Sequence, residues 1–131
     1  MSQSSSSSAL RVLVVDDHPD LLLMLDLMMQ RRKYNVCTAQ SGAQALQIAP
    51  EFAPQVVVSD IGMPEMDGYQ LMRTLRENTE LAPFKAIALT GYDQQMEGNQ
   101  ATQAGFDSQL TKPIEFDQLF QMIEQLANGA G

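Results

Sequence analysis

The chain has 131 residues, a length typical of one domain, and 44% of them are apolar, which is enough for a buried core. Its formal net charge of −8 argues against nucleic-acid binding through phosphate neutralisation. The single cysteine, Cys37, excludes an intramolecular disulfide and agrees with a cytoplasmic location. The apolar stretch 21–29 contains Asp26 and is too short to span a bilayer, so we expect no membrane contact.

The two ends of the chain differ from its middle. Residues 2–8 form a Ser/Gln tract without apolar periodicity, which cannot bury enough surface to offset its ordering entropy. We therefore expect a disordered tail over residues 1–9, a folded domain over residues 10–127 and a flexible end over residues 128–131.

The first predicted strand and helix cover residues 10–32. Residues 10–15 are a mostly apolar run of strand length, and Pro19 suits the first turn of a helix that ends near Arg32. In this helix Leu23 falls nearly opposite the apolar stripe, where we expect it to be exposed. The stripe itself is predicted from the spacing i, i+3, i+4, i+7: Leu21, Met24, Leu25 and Met28.

A second strand and helix follow, and then a third strand. Asn35–Ala39 is the predicted strand, and Ser41 is the predicted N-cap of a helix over residues 42–49. Pro50 is expected to end that helix because proline removes a backbone donor. Val56–Asp60 is the next apolar run and the third predicted strand.

The remaining elements repeat this alternation. After a loop rich in glycine and proline, apolar spacing predicts a helix that ends before Pro83, followed by the strand Lys85–Thr90. Residues 92–104 are predicted to form a weak, Gln-rich helix that Gly105 caps, and residues 107–111 a short fifth strand. An amphipathic helix ends the chain, with these apolar positions: Phe116, Leu119, Phe120, Ile123 and Leu126.

Five strand–helix units in alternation predict a doubly wound α/β fold, a parallel sheet with helices on both faces. Polar side chains follow or end the strands: Asp16 and Asp17 after the first, Asp60 in the third, Thr90 in the fourth and Lys112 after the fifth. Because the carboxyl ends of parallel strands share one edge, where ligands bind, these groups should converge. The pattern predicts a divalent cation site beside an aspartate that accepts a phosphoryl group.

The acidic residues suit Mg²⁺ or Mn²⁺, and Mg²⁺ takes one or two carboxylates and keeps several waters. We predict Asp17 and Asp60 as direct ligands, Asp16 as the holder of a metal-bound water, and the backbone carbonyl of Gly62 as a further ligand. Adjacent aspartates after a strand also serve as helix caps, and for Asp16 and Asp17 taken alone that alternative stays open.

Asp60 is the predicted nucleophile, because a carboxylate that attacks a phosphoryl group forms an acyl phosphate. Negative charge spreads over the phosphoryl oxygens in the transition state, so the Lys112 ammonium and the Thr90 hydroxyl would stabilise it. Taken alone, Lys112 is better explained as a surface lysine before a turn proline, and Thr90 as a structural residue at a strand end.

Five motifs occur in order: Val-Val-Asp-Asp at 14–17, Ser-Asp-Ile-Gly-Met-Pro at 59–64 with Met-Asp-Gly at 66–68, Ala-Leu-Thr-Gly at 88–91, Ala-Gly-Phe-Asp at 104–107 and Thr-Lys-Pro at 111–113. With them, residues 10–127 resemble the receiver domain of two-component response regulators. The segment 106–113 is more similar to receivers of hybrid sensor kinases, or to their stand-alone relatives, than to those of transcription factors.

The resemblance implies a sheet order of 2-1-3-4-5 and a cis peptide bond before Pro113. It implies a phosphohistidine donor, on a sensor histidine kinase or a histidine phosphotransfer domain, and a downstream protein partner that responds to phosphorylation. Receivers catalyse that transfer and usually their own slow dephosphorylation. The implied residue roles are a phosphoacceptor (Asp60), a metal-site pair (Asp16 and Asp17), a switch hydroxyl (Thr90) and a phosphate-binding lysine (Lys112).

Three positions tune this pattern. Gln109 stands where many receivers carry an inward-turning aromatic residue, so the common aromatic switch is not available. Gly62 lies two residues after the acceptor and Tyr92 two residues after the threonine, positions that in receivers steer or block the attacking water. Because Gly62 has no side chain to orient water and Tyr92 can shield the site, we expect a long-lived phosphoryl group.

Exposed Leu23 is a candidate docking residue for a kinase helix, although a scattered apolar surface residue needs no explanation. His18 is expected to be an exposed loop residue and is given no role. Two alternative functions are weighed: a receiver that only binds proteins, and a phosphohydrolase with an aspartyl nucleophile. The second usually needs a further aspartate two residues after the nucleophile, where this chain has Gly62.

Overall fold

The computed structural model describes residues 9–91 and 98–128. Strands and helices alternate in this part of the chain. The strands are β1 (Arg11–Val15), β2 (Asn35–Ala39), β3 (Val56–Asp60), β4 (Lys85–Thr90) and β5 (Ser108–Thr111). The helices are α1 (Pro19–Arg31), α2 (Gly42–Phe52), α3 (Gly68–Glu77), α4 (Gly98–Ala104) and α5 (Phe116–Asn128). No helix of the described residues has the length and apolarity needed to cross a membrane.

The five strands form one sheet in the order β2-β1-β3-β4-β5, and every neighbouring pair is parallel. This confirms the predicted doubly wound α/β fold and its strand order. The register aligns Val15 of β1 with Ser59 of β3, and Asp60 of β3 with Leu89 of β4. The C-terminal ends of β1, β3 and β4 therefore lie level at one edge.

Two apolar layers cover the sheet, because successive strand side chains point to opposite faces. In β1, Leu13 and Val15 belong to one layer, with the buried residues of α2, α3 and α4, and Val12 and Val14 belong to the other, with those of α1 and α5. These four of the five β1 residues are fully buried, as expected for a central parallel strand.

The buried stripe of α1 differs from the predicted one. Of the four predicted residues only Leu25 is fully buried, and Met24 is 50% exposed. The structure buries Leu22, Leu25 and Met29 instead, a stripe with the same helical spacing rotated by one residue. The three residues buried here are apolar, as the four predicted ones are, although the i+4 position of the rotated stripe is Asp26. Packing on the sheet, and not the spacing of the apolar residues, therefore makes the choice. The exposure of Leu23 is as predicted, at 60%.

The predicted end of α2 is also wrong, because the helix continues through Pro50 to Phe52. A proline this close to the end removes only one helical hydrogen bond. The last turn closes beyond it, where the Ala53 N–H donates to the Ala49 carbonyl at 2.9 Å and Ala53 takes a left-handed conformation. The Ser41 cap is confirmed, since its side chain accepts a hydrogen bond from the Gln44 N–H.

The predicted helix over residues 92–104 is described only from Gly98, and its earlier part lies outside the described residues. Its C-cap is confirmed: Gly105 has a φ of 115°, a conformation that favours glycine, and its N–H donates to the Thr102 carbonyl at 3.1 Å.

Gly68, the first residue of α3, packs directly on the backbone that follows β3. Its N–H donates to the Ile61 carbonyl at 2.9 Å. A Cβ at this position would clash with the Asp60 carbonyl oxygen and lie 2.8 Å from Ile61 Cα. Both contacts are with backbone atoms, which cannot move away by a side-chain rotation. Glycine at position 68 therefore lets α3 begin against the residue that ends β3.

Replacing Gly68 with alanine should lower the free energy of unfolding by about 2 kcal/mol, because the added methyl must displace the backbone around Asp60. Gly42→Ala is the matched control, since Gly42 is also the first residue of a helix and its Cβ would meet only the flexible Met66 side chain. Urea unfolding of both variants measures the difference. Equal losses would contradict the role given to Gly68.

Candidate functional site

The sequence-predicted polar residues meet at the C-terminal edge of the sheet. Asp60 and Thr90 end β3 and β4, Asp16 follows β1, and Lys112 follows β5. Asp16, Asp60 and Thr90 are almost completely buried, at 0%, 4% and 1% exposure. Two buried carboxylates, one buried hydroxyl and the partly exposed ammonium of Lys112 are thus brought together at this edge.

Asp16 is the most constrained carboxylate of the site. Its Oδ1 accepts a hydrogen bond from the His18 backbone N–H at 2.9 Å and lies 2.7 Å from His18 Nδ1. Its Oδ2 accepts a hydrogen bond from Lys112 Nζ at 3.0 Å. Because both oxygens are engaged, Asp16 is suited to orient its neighbours.

Lys112 lies between two carboxylates, with Nζ 3.0 Å from Asp16 Oδ2 and 3.4 Å from Asp60 Oδ1. Burial alone would lower the pKa of Lys112, but the hydrogen bond to Asp16 and the charges of both aspartates outweigh it and raise that pKa. Lys112 therefore remains a cation at the point where Asp60 ends its strand.

Asp60 carries a charge that its surroundings only partly compensate. Burial and the neighbouring charge of Asp16 raise its pKa, while Lys112 and the backbone N–H of Gly62 act in the opposite direction. The Gly62 N–H lies 3.4 Å from Asp60 Oδ1. An additional cation would relieve this cost.

The acidic residues fit a divalent cation. Potential ligand atoms of Asp16, Asp17, His18 and Asp60 all lie within 4.8 Å of one another. Asp17 Oδ1 is shielded from solvent, yet it accepts no hydrogen bond from any described residue. A buried carboxylate oxygen without a donor is costly unless a cation binds it. Hard oxygen ligands at this spacing suit Mg²⁺.

Thr90, which ends β4, is hydrogen-bonded to β5 and to Lys112, the residue that follows β5. The Thr90 hydroxyl donates to the Leu110 carbonyl at 3.3 Å, and the Lys112 N–H donates to the Thr90 carbonyl at 2.8 Å. To reach a group on Asp60, the Thr90 hydroxyl must leave Leu110. The Lys112–Pro113 peptide bond is cis.

The predicted tuning positions have different outcomes. Gln109 is exposed on β5, where it lies in register with Ala88, so its side chain does not fill the inward position. Gly62 lies beside Asp60, as its N–H contact shows. Tyr92 lies outside the described residues, and its shielding role stays a prediction.

His18 is the site residue that sequence reasoning missed. Its side chain is 65% exposed, as expected for a loop residue, but Nδ1 contacts Asp16 and also lies 3.3 Å from Asp17 Oδ1. The hydrogen bond to Asp16 and the charge of that carboxylate raise the pKa of His18. A titratable ring directly after two adjacent aspartates, and before a proline that begins a helix, was the available signal.

Comparison with known proteins agrees with this geometry. The family model for the response regulator receiver domain matches residues 12–124. An uncharacterised 14.6 kDa protein of Leptolyngbya boryana is 36% identical over 114 residues, which are 87% of this chain and 87% of that protein. The transcriptional regulatory protein GlrR of Escherichia coli is 39% identical over 113 residues, which cover 86% of this chain and only 25% of GlrR.

A solved structure gives the same result for the fold. The chemotaxis response regulator CheY4 of Vibrio cholerae superposes with a TM-score of 0.84 at 25% sequence identity, over 91% of this chain and 99% of that one. Family match, fold and site geometry agree over the same residues. The chain belongs to the family of response regulator receiver domains found in two-component systems.

Proposed function

We propose that this domain, over residues 10–127, is a phosphoacceptor switch. Asp60 takes a phosphoryl group from a phosphohistidine on a sensor histidine kinase or a histidine phosphotransfer domain, in the cytoplasm and with Mg²⁺ or Mn²⁺. The phosphorylated form then signals through contacts with a downstream protein. The observation that carries this proposal is the Lys112 ammonium, 3.0 Å from Asp16 and 3.4 Å from Asp60 at a buried edge of the sheet.

The transfer is a displacement at phosphorus. A carboxylate oxygen of Asp60 forms a bond to phosphorus as the bond to the donor imidazole breaks, and the electron pair of that bond stays on the imidazole nitrogen. Negative charge grows on the phosphoryl oxygens. Lys112, whose Nζ lies 3.4 Å from Asp60 Oδ1, can stabilise that charge. The acyl phosphate carries more negative charge than the carboxylate it replaces, so it depends on Lys112 and on a bound cation for compensation.

The other residues hold and sense this group. Asp17 and Asp60 would hold the cation, with the Gly62 carbonyl as a further ligand and Asp16 on a metal-bound water. When bound, the cation neutralises charge on the phosphoryl oxygens. Asp16 positions Lys112 through the 3.0 Å hydrogen bond. Thr90 can turn from Leu110 and donate its hydroxyl to a phosphoryl oxygen.

The proposed docking surface for the donor is the exposed apolar patch of α1, formed by Leu23, Met24 and Leu27. These side chains are 60%, 50% and 55% exposed. A groove of about 520 Å³ beside them is lined by Met24, Leu27, Met28, Gln30 and Arg31. Three large apolar residues on one helix make a surface to which another amphipathic helix can pack.

Incubation with acetyl phosphate and Mg²⁺ should add one phosphoryl group to the wild-type chain, visible as a single mass increment in intact-mass spectrometry. Asp60→Asn should show none, because the amide is not a nucleophile, and Asp117→Asn, an exposed aspartate of α5, should label normally. Labelling of the Asp60 variant, or equal labelling in excess chelator, would reject the proposal.

In chelator, Asp60→Asn should unfold at a higher temperature than the wild type, by an amount equivalent to about 1 kcal/mol, because it removes an uncompensated buried charge. Adding Mg²⁺ should stabilise the wild type by mass action and leave the variant nearly unchanged. Thermal unfolding with and without Mg²⁺ measures both effects. A less stable Asp60→Asn in chelator would show that Lys112 compensates the carboxylate fully.

Leu23→Glu should slow phosphorylation by a histidine kinase or phosphotransfer donor by about tenfold or more, because a charge then faces the apolar partner surface. Labelling by acetyl phosphate should not change, since the small donor needs no docking. Gln70→Glu, an exposed position on α3, is the control for added charge. Unchanged donor-dependent rates in Leu23→Glu would exclude this surface.

A further inference from the structure

We propose that His18 supplies a nitrogen ligand to the cation site, so that this receiver binds imidazole-preferring divalent ions such as Ni²⁺ and Co²⁺ more tightly than Asp17 and Asp60 alone would allow. The inference rests on the cation site of the proposed function. It concerns which ion occupies that site, and it adds a residue that the strand-end pattern does not include.

The first argument is the spacing of the ligand atoms. His18 Nδ1 lies 3.3 Å from Asp17 Oδ1. Two ligands that bind one ion at about 2.1 Å each, at adjacent octahedral positions, lie about 3 Å apart. The imidazole nitrogen and the carboxylate oxygen are therefore already at the separation of two ligands of one ion.

The second argument is the state of Asp17 Oδ1. This oxygen is shielded from solvent and accepts no hydrogen bond from the described residues, although the His18 ring is beside it. The ring is 2.7 Å from Asp16 Oδ1 and donates to that oxygen instead. An ion between Nδ1 and Asp17 Oδ1 would displace the ring proton and satisfy the unpaired oxygen.

The third argument is the support of the ring by its own backbone. The His18 N–H donates to Asp16 Oδ1 at 2.9 Å, which keeps the residue at the site when the ring proton is lost. Pro19, at the start of α1, restricts the chain on the other side. The ring is 65% exposed, so an ion can enter from solvent. Ligation then requires the ring to give up its contact with Asp16 Oδ1 and turn toward Asp17 Oδ1, which is 3.3 Å from Nδ1.

The ligand preferences of the ions predict which of them bind more tightly when His18 is present. Mg²⁺ prefers oxygen and dehydrates reluctantly, so an imidazole adds little to its affinity. Ni²⁺, Co²⁺ and Zn²⁺ bind imidazole well and gain a strong ligand. His18 should therefore set the ratio of Ni²⁺ to Mg²⁺ affinity, and the Mg²⁺ affinity should depend on Asp17 and Asp60.

The test is calorimetric titration of the untagged chain with Ni²⁺ and, separately, with Mg²⁺, without a phosphodonor. His18→Ala should weaken Ni²⁺ binding by about tenfold or more and change Mg²⁺ binding by less than about twofold. Asp17→Asn, the control for the site itself, should weaken both. Among the described residues the His18 ring makes no capping hydrogen bond to α1, so its removal should leave the helix intact; thermal unfolding checks this.

A second readout is independent of affinity. The visible absorption of bound Co²⁺ should shift between the wild type and His18→Ala, because a nitrogen ligand is replaced by water. Equal effects of His18→Ala on Ni²⁺ and Mg²⁺, with an unchanged Co²⁺ spectrum, would overturn the role of His18 and leave the cation site standing. A wild-type chain that binds neither ion would overturn the cation site of the proposed function, and the role of His18 with it.

Discussion

The site depends on one ammonium group held between buried carboxylates. Lys112 Nζ compensates Asp16 at 3.0 Å and approaches Asp60 at 3.4 Å, and these three residues come from three different strand ends. Burying a carboxylate without a partner raises the free energy of the folded state. Asp16 and Asp60 can therefore be buried only when folding brings the ends of β1, β3 and β5 together. One ammonium does not balance Asp16, Asp17 and Asp60, and the deficit creates a place for a further cation.

The rest of the fold serves this edge. Fully buried central strands keep water from the carboxylates, and α3 begins at Gly68 because only a residue without a side chain fits against Asp60 and Ile61. Large apolar residues fill both layers of the sheet, whereas the buried polar side chains of the described residues lie at its C-terminal edge. Stability and chemistry therefore reside in different parts of each strand, and loop residues such as His18 can change the site without disturbing the core.

Prediction from sequence succeeded where one physical rule governs many residues. Apolar strands buried on both faces and polar residues at their ends are enough to define a parallel sheet and the edge where its ligands bind. It failed where two choices satisfy the same rule, as for the α1 stripe, in which Leu22 and Met29 are buried and Met24 is not. His18 was missed because its contact with Asp16 depends on the conformation of a loop, and a loop shows no repeating sequence pattern from which a contact could be predicted.

The hydrogen bonds that Thr90 and Lys112 make in this structure limit how the proposed phosphorylation of Asp60 could be sensed. The Thr90 hydroxyl donates to Leu110, and the Lys112 side chain donates to Asp16. A phosphoryl group on Asp60 would offer oxygens that compete for both donors. For Thr90 the competing acceptor is the neutral Leu110 carbonyl, against which a charged acceptor wins, whereas for Lys112 it is the Asp16 carboxylate. Loss of the Thr90–Leu110 bond releases a side-chain link between β4 and β5. Because position 109 carries an exposed glutamine rather than an inward-packed aromatic residue, we infer that the response begins in this hydrogen-bond exchange and not in the movement of a ring at that position.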